Sequence, residues 1–202
     1  MLVEDEHMAM VLKKVQLVKE HKMLLCLAGD RIPVSIEDLQ HTAADMYDLT
    51  IEKYEVTFDG DFVRGMMERY HDNRVRILVR ADQPTNMKRF VAAKEIAHVV
   101  IDEKEDWAPD GATTIDQAIR EANLPDHEAA AAAVQSELLA QMAAVELLVP
   151  WEFREADKHA VTTGKLTKRN LASHYGVPEV VIGWSFMQYD LLKEIWETAN
   201  GG

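Results

Sequence analysis

The chain has 202 residues, of which 48% are apolar, and this is enough to bury the core of one domain or of a domain with a small appendage. Its 35 acidic residues outnumber the 22 basic residues, and the net charge of −13 argues against nucleic acid as a direct partner. A single cysteine, Cys26, excludes an internal disulfide and a cysteine-based zinc finger, while the acidic N-terminus and the lack of an apolar run of about 20 residues indicate a cytoplasmic protein without a membrane span.

Two helices are predicted at the start of the chain. Apolar residues recur at helical spacing over 8–28, and Gly29 follows as a stop signal. Ser35 precedes a second apolar stripe, and Asp38 stands three residues later as an acidic variant of the capping box. We therefore expect one helix over 8–28 and another over about 35–48.

A small three-stranded antiparallel sheet is predicted next. The segments IEKYEVTF, FVRGMMERY and VRILVRA have strand-like composition, and Asp59-Gly60, between the first two, is a strong turn signal. Pro84 then ends the strand pattern and precedes a predicted helix that contains RFVAAKEIAHVVID at 89–102.

The second half of the chain is predicted to be helical apart from an acidic insert. Residues 102–125 have the composition of a loop followed by one short amphipathic helix. A long alanine-rich helix is expected from about Pro125 to Val149, and Pro150 ends it.

The tail is predicted to form two helices around a tight turn at 176–178, the second ending near Ala199. The fold class is therefore α+β: a mostly helical domain of residues 1–155 with the small sheet, and a C-terminal helical segment of residues 156–202 packed on it, with a soft boundary. The last helix carries an apolar stripe that predicts core packing or, as a second explanation, a surface for a partner or for self-association; its members are Trp184, Met187, Leu191 and Ile195.

The sequence KEIAH at 94–98 differs by one residue from the HExxH pattern of zinc peptidases. Positions four apart lie on the same face of a helix, so HExxH presents two imidazoles to one zinc while its glutamate reaches the metal-bound water. Lys94 stands where the first imidazole belongs, and a protonated lysine has no lone pair for a metal. Taken alone, the remaining ExxH pattern does not indicate a metal site, because it is common on helix surfaces.

A second motif, ELLAQMAAVELLVP at 137–150, makes the combination similar to the ImmA/IrrE family of zincin-like metallopeptidases. That family has a helix of the form RFTLAHELGH after a small sheet and a later helix of the form ExxAxxFAxxLLxP. The departures are Lys94 for the first histidine, Ala143 for an aromatic residue, and the long acidic insert. The resemblance covers roughly residues 35–190 and includes the tail. The matching residues are Arg89, Phe90, Ala93, Glu95, His98, Glu137, Ala140, Ala144, Leu147, Leu148 and Pro150.

The resemblance implies Glu95 as the general base, His98 as the surviving imidazole ligand and Glu137 as the acidic ligand. A catalytic zinc normally has three protein ligands and a water, so a site that keeps two of them should bind the metal weakly. We therefore expect no cofactor unless another residue rescues a zinc site. His71 and His127 are the candidates for such a rescuing ligand.

Lys94 has a physical explanation if the two helices pack as they do in that family. Its ammonium would lie beside Glu95 and Glu137 and supply the positive charge that a metal supplies elsewhere, so that the site becomes a structural ion-pair cluster. Simpler alternatives stay open. Lys94 can extend to solvent, His98 can be a core histidine satisfied by a carbonyl or by Glu137, and Glu137 can be an ordinary helix acid.

The sequence therefore favours a non-catalytic regulatory protein that binds another protein. Active members of the resembled family cleave helix-turn-helix repressors, often in phage or mobile-element settings, which makes such a repressor the implied partner. An active metallo-endopeptidase with an unorthodox site is the first alternative, so whether the chain is an enzyme stays open. A DNA-binding regulator is the second: NLASHYGVP at 170–178 has helix-turn-helix spacing, with basic residues nearby at Lys165, Lys168, Arg169 and His174.

Overall fold

The computed structural model describes residues 5–24, 33–60, 63–70, 72–102 and 127–200. Within these ranges the chain is α+β, as predicted, with seven helices and one small sheet. The helices are α1 (Asp5–Leu24), α2 (Ile36–Tyr47), α3 (Thr85–Ile101), α4 (His127–Leu148), α5 (Trp151–Thr162), α6 (Lys168–Tyr175) and α7 (Glu179–Asn200). The strands are β1 (Thr50–Val56), β2 (Gly65–Arg69) and β3 (Arg74–Arg80).

The first two helices form where the local signals place them. The predicted end of α1 at residues 25–28 lies outside the described residues. Helix α2 begins after Ser35, whose Oγ accepts a hydrogen bond from the backbone N–H of Asp38 at 3.1 Å. It ends at Asp48, which has a left-handed backbone with a φ of 51°.

The sheet is mixed, and the prediction of a purely antiparallel sheet was wrong. Its strand order is β1-β3-β2, with β3 parallel to β1 and antiparallel to β2. The predicted turn is present, with a φ of 79° at Gly60, but it does not join neighbouring strands. The guanidinium of Arg80, at the end of β3, donates hydrogen bonds to the carbonyls of Gly60 and Val63, which lie between β1 and β2 in the sequence. Strand β2 pairs with the edge of β3 opposite β1.

Helix α3 lies at the centre of the molecule and contacts β2, β3, α1, α2 and α4. Every residue from Phe90 to Ile101 is buried except Lys94, which is partly exposed. Alanines on the two central helices allow α3 and α4 to approach closely; the buried ones are Ala92, Ala93 and Ala97 on α3 and Ala140, Ala143 and Ala144 on α4. The charged residues of both helices are thereby brought face to face.

Helix α5 was not predicted from the sequence. It follows Pro150 directly, and Arg154 anchors it with a fully buried guanidinium. Arg154 Nη1 lies 2.6 Å from Glu146 Oε1, and Arg154 Nη2 donates to the carbonyl of Val149 at 2.6 Å. The arginine thus binds the last turn of α4, whose carbonyl groups have no partner within their own helix.

The tail forms the predicted pair of helices. Gly176 has a φ of 64° between α6 and α7, which is the left-handed conformation that ends many helices. The expectation that the apolar stripe of α7 packs into the core was wrong for part of it, because Met187 is 67% exposed and Leu191 is 54% exposed. The predicted domain boundary at 155 falls within α5, and the division into two domains stays a prediction.

Two further expectations concern the acidic insert and the lack of a membrane span. The acidic insert with its short amphipathic helix lies outside the described residues, because 103–126 are not among them. In the part of the chain that the structure describes, no helix has both the length and the apolar character to cross a membrane.

Candidate functional site

A cluster of charged residues lies between α3 and the first half of α4. Lys94, His98 and Asp102 follow one another at intervals of four along one face of α3, and Asp102 is the C-cap of that helix. Ser136 and Glu137 face them from α4. The structure therefore brings together four residues singled out in the sequence, namely Lys94, Glu95, His98 and Glu137.

The ammonium of Lys94 lies between two carboxylates. Its Nζ donates a hydrogen bond to Glu137 Oε2 at 2.7 Å and lies 3.0 Å from Glu95 Oε1. The Lys94 side chain is 14% exposed, so it does not extend into solvent. Burial alone would lower the pKa of Lys94, but the charges of Glu95 and Glu137 outweigh burial and raise it. Lys94 is therefore a cation at neutral pH.

Both ring nitrogens of His98 face carboxylates. Nδ1 lies 3.1 Å from Asp102 Oδ2, and Nε2 lies 3.3 Å from Glu137 Oε1. Burial acts to lower the pKa of His98, but the contacts with Asp102 and Glu137 outweigh burial and raise it to about 9. At neutral pH the ring is thus an imidazolium, which carries a proton on each nitrogen and has no lone pair for a metal.

Glu137 bridges the two cations. One carboxylate oxygen contacts Lys94 and the other contacts His98, while the side chain is 11% exposed. Burial acts to raise the pKa of Glu137, but its contacts with His98 and Lys94 lower it to about 2. Glu137 is therefore ionised throughout the physiological range.

Glu95 lies beneath strand β2. A Cβ atom built on Gly65 would lie 2.2 Å from Val91 Cγ1 and 2.9 Å from Glu95 Oε1, so only a glycine lets β2 pass this close to α3. Among the described residues Glu95 Oε1 has no hydrogen-bond partner, so its contact with Lys94 is electrostatic. The side chain is 2% exposed.

This donor set does not fit the catalytic zinc that the resemblance implies. Lys94 places an ammonium where the first ligand belongs, and both nitrogens of His98 lie within 3.3 Å of carboxylate oxygens, although Nε2 makes no hydrogen bond among the described residues. Within the described ranges, no group of three or more histidine, cysteine or acidic side chains is placed to hold a metal ion. The roles of Glu95 as base and of His98 and Glu137 as ligands stay predictions.

The two candidate rescuing ligands cannot be placed at the site. His71 lies outside the described residues, and the side chain of His127 does as well, although its backbone begins α4.

Two members of the cluster were missed in the sequence. Asp102 had a usable signal, because it stands four residues after His98 just as Lys94 stands four residues before it. Ser136 donates a hydrogen bond to Asp102 Oδ1 at 3.1 Å, and no local pattern marks this serine. Ser136 thereby fixes the carboxylate of Asp102, which in turn orients the ring of His98.

A comparison with protein families identifies the scaffold. A model of the peptidase M78 family, the IrrE N-terminal-like domain, matches residues 57–184. No curated protein and no solved structure matches the chain. The family match covers more than half of the 202 residues and includes β2, β3 and all helices from α3 to α6. The chain belongs to the peptidase M78 family of IrrE N-terminal-like domains.

Proposed function

We propose that this family member is a non-catalytic regulatory protein of the cytoplasm that binds a protein partner and carries a lysine in place of the metal's charge. The observation that carries the proposal is the position of Lys94 Nζ, 2.7 Å from Glu137 Oε2 and 3.0 Å from Glu95 Oε1. An ammonium at this point occupies the carboxylates that a metal would need.

The lack of cleavage follows from what an ammonium cannot do. A catalytic metal polarises the scissile carbonyl and lowers the pKa of a bound water, so that hydroxide is available at neutral pH. Lys94 has no vacant coordination position and cannot generate that nucleophile.

Charge balance supports a retained but metal-free frame. Protonated Lys94 and protonated His98 together supply two positive charges, the same total as a divalent ion. Removing the metal from a site with buried carboxylates would ordinarily leave those charges uncompensated, which is strongly unfavourable. With the two cations in place, each of the three carboxylates at the site, those of Glu95, Glu137 and Asp102, lies beside at least one positive charge, and the scaffold can fold without metal.

The edge of β2 supports partner binding. Hydrogen bonds from Arg80 N to Arg64 O and from Tyr70 N to Arg74 O fix which backbone groups of β2 point toward β3. By strand alternation, the N–H and C=O groups of residues 65 and 67 point away from β3, toward the side of β2 on which the described residues place no further strand. An extended peptide can add to such an edge through main-chain hydrogen bonds, with no chemistry required.

The edge also passes directly over the charged cluster. Gly65 lies against Glu95, and the guanidinium of Arg69 donates a hydrogen bond to the carbonyl of His98 at 2.9 Å. A peptide added to β2 would therefore run beside the site. The family resemblance suggests a helix-turn-helix repressor as the source of that peptide.

A binding assay with and without chelator tests this function. Purified helix-turn-helix repressors are offered to the immobilised protein both in zinc-containing buffer and in EDTA, and each bound repressor is then weighed by intact mass spectrometry. We expect at least one repressor to bind and to be recovered uncut under both conditions. Cleavage that EDTA abolishes would overturn the proposal and favour the metallo-endopeptidase, and a panel without any binder would contradict this class of partner.

Two variants at one position test the edge itself. Met67→Pro removes an outward N–H of β2, whereas Met67→Ala removes a similar amount of side chain and keeps the N–H. We expect proline to weaken repressor binding by about tenfold or more relative to alanine, equivalent to about 1.4 kcal/mol. Equal affinities for the two variants would place the partner elsewhere on the molecule.

A further inference from the structure

Lys94 is the point at which the central part of α3 reaches the surface. From Phe90 to Ile101 it is the one residue of this helix that is not buried, and its side chain is 14% exposed. A lysine ammonium has three N–H donors. This one donates a hydrogen bond to Glu137 Oε2 at 2.7 Å and lies 3.0 Å from Glu95 Oε1 in an electrostatic contact. At least one of its donors therefore has no acceptor among the described residues.

The ammonium lies close to the edge of β2. A Cβ atom built on Gly65 would be 2.9 Å from Glu95 Oε1, and the same oxygen is 3.0 Å from Lys94 Nζ. The ammonium is therefore no more than about 6 Å from that Cβ position. Neighbouring strands of a sheet lie about 4.8 Å apart. A peptide added to β2 at Gly65 would thus bring its main chain about as close to this glycine as Lys94 is.

We propose that Lys94 donates a hydrogen bond to a main-chain carbonyl of the extended partner segment that adds to β2, and that this segment has an uncharged residue at that point. The inference rests on the proposed function, since it requires a peptide at the edge of β2. Lys94 is then a specificity-determining residue as well as a structural cation.

The charges around Lys94 favour a carbonyl over a charged group of the partner. Two cations at the site, Lys94 and His98, already lie among the three carboxylates of Glu95, Glu137 and Asp102. A partner carboxylate at Lys94 would come close to Glu95 and Glu137, and like charges in a partly desolvated site repel each other strongly. A partner lysine or arginine would meet the ammonium in the same way. A carbonyl oxygen accepts the N–H and adds no net charge.

An aspartate scan of the partner tests the charge requirement. The probe is each helix-turn-helix repressor that the immobilised protein retains in EDTA, divided into short overlapping synthetic peptides. The peptide that binds is varied one position at a time, with aspartate compared with its neutral isostere asparagine, and affinity is measured by fluorescence anisotropy. We expect one position at which aspartate weakens binding about tenfold or more relative to asparagine, and much smaller differences elsewhere.

The Lys94 ammonium itself reports the hydrogen bond. In protein with ¹⁵N-labelled lysine, the Nζ signal of Lys94 is assigned from its absence in Lys94→Arg, which keeps the positive charge. We expect this signal to shift when the peptide binds, and its N–H protons to exchange with water about tenfold more slowly or less. Lys88 is the matched control, because it lies on the same helix and pairs with Glu55 at 2.6 Å, and its signal should not change.

The possible outcomes separate this inference from the proposed function. If no repressor is retained, both are overturned. The inference alone is overturned by a retained repressor none of whose peptides binds, by a bound peptide that requires an acidic residue or tolerates aspartate at every position, or by a Lys94 signal that binding leaves unchanged. In each of these cases the retained repressor still supports a protein that binds a partner.

Discussion

Under the proposed function, Lys94 takes over the electrostatic task of a metal ion without its chemistry. Its ammonium compensates Glu137 and Glu95, and unlike a bound ion it is attached to the chain and cannot dissociate. Removing one member of a buried ion pair leaves the other charge uncompensated, which costs more than the pair itself contributes. The charged cluster is therefore expected to control stability.

The substitution Lys94→Met tests that expectation. It keeps most of the side-chain volume and removes the charge, so we expect the free energy of unfolding to fall by about 3 to 5 kcal/mol. Urea denaturation measures the change. The control is Lys88→Met on the same helix, because Lys88 pairs with Glu55 at 2.6 Å but that carboxylate is 55% exposed, and about 1 kcal/mol or less should be lost. Equal losses for the two variants would contradict the ion-pair cluster.

The pKa values of the cluster predict a bounded pH range of stability. The pKa of His98 is raised from 6.5 to about 9, so its contribution is complete below pH 6.5 and is lost as the pH rises through 9. The pKa of Glu137 is lowered from 4.5 to about 2, so its contribution is complete above pH 4.5 and is lost as the pH falls toward 2. The free energy of unfolding should therefore be greatest between pH 4.5 and pH 6.5, where both contributions are complete.

Urea denaturation across pH 5 to 10 checks the alkaline side. The glutamine of His98→Gln cannot titrate. The fall in the free energy of unfolding between pH 6.5 and about pH 9 should therefore be smaller in this variant than in the wild type. A histidine resonance that titrates near its ordinary pKa in the NMR spectrum, when assigned to His98, would contradict the geometry of two flanking carboxylates.

Among the elements, β2 passes close to α3 at Gly65. Gly65→Ala would place a Cβ atom 2.2 Å from Val91 Cγ1, so the strand must move away from the helix. We expect a loss of about 1 to 3 kcal/mol, as for other overpacked sites. Gly183→Ala on α7 is the control, because its added methyl group would meet no atom closer than 3.8 Å. A melting temperature of Gly65→Ala that is no lower than that of the wild type would show that the strand has room for the added methyl group.

Local signals explain which elements could be predicted. The cap at Ser35, the glycine turn at Gly176 and the alanine-rich helix before Pro150 each depend on residues close in sequence, and these features are confirmed. Strand pairing depends on distant residues. Asp59-Gly60 indicates that the chain reverses, but the pairing of β2 with β3 involves residues some twenty positions later, among them Arg80, whose guanidinium donates hydrogen bonds to the carbonyls of Gly60 and Val63.

The charged cluster was accessible from sequence only in part. Motif spacing placed Lys94, His98 and Glu137 on facing helices because helical periodicity is local and the order of the motifs resembles a known family. The direction of the Lys94 side chain depends on the packing of α3 against α4, which no pattern within either helix specifies. Ser136 has no motif, and its role is visible only from its distance to Asp102.

At the scale of the whole molecule, Arg89 connects parts of the chain that are far apart in sequence. Its Nη2 donates to the carbonyl of Val34 at 2.7 Å, and its Nε donates to the carbonyl of Gly176 at 3.0 Å. Arg89 thus ties α3 both to the residue that precedes α2 and to the turn between α6 and α7. This explains an arginine at the start of the family motif as a structural anchor.

Arg89→Met should loosen the tail. Two hydrogen bonds from a charged donor are lost, and we expect the free energy of unfolding to fall by about 2 to 4 kcal/mol, with faster amide exchange in α6 and the start of α7. Arg64→Met is the control, since the exposed Arg64 guanidinium contacts only Met87 Sδ at 3.8 Å among the described residues. Hydrogen exchange confined to α3, with α6 unchanged, would contradict the anchoring role.

Metal content tests most directly whether Lys94 stands in the place of a metal. Elemental mass spectrometry is applied to the wild-type protein and to Lys94→His, both purified without chelator. We predict a wild-type protein with far less than one zinc per chain and a variant with about one, because the new imidazole joins His98 and Glu137 as a third ligand. Stoichiometric zinc in the wild-type protein would contradict the account and return proteolysis to first place.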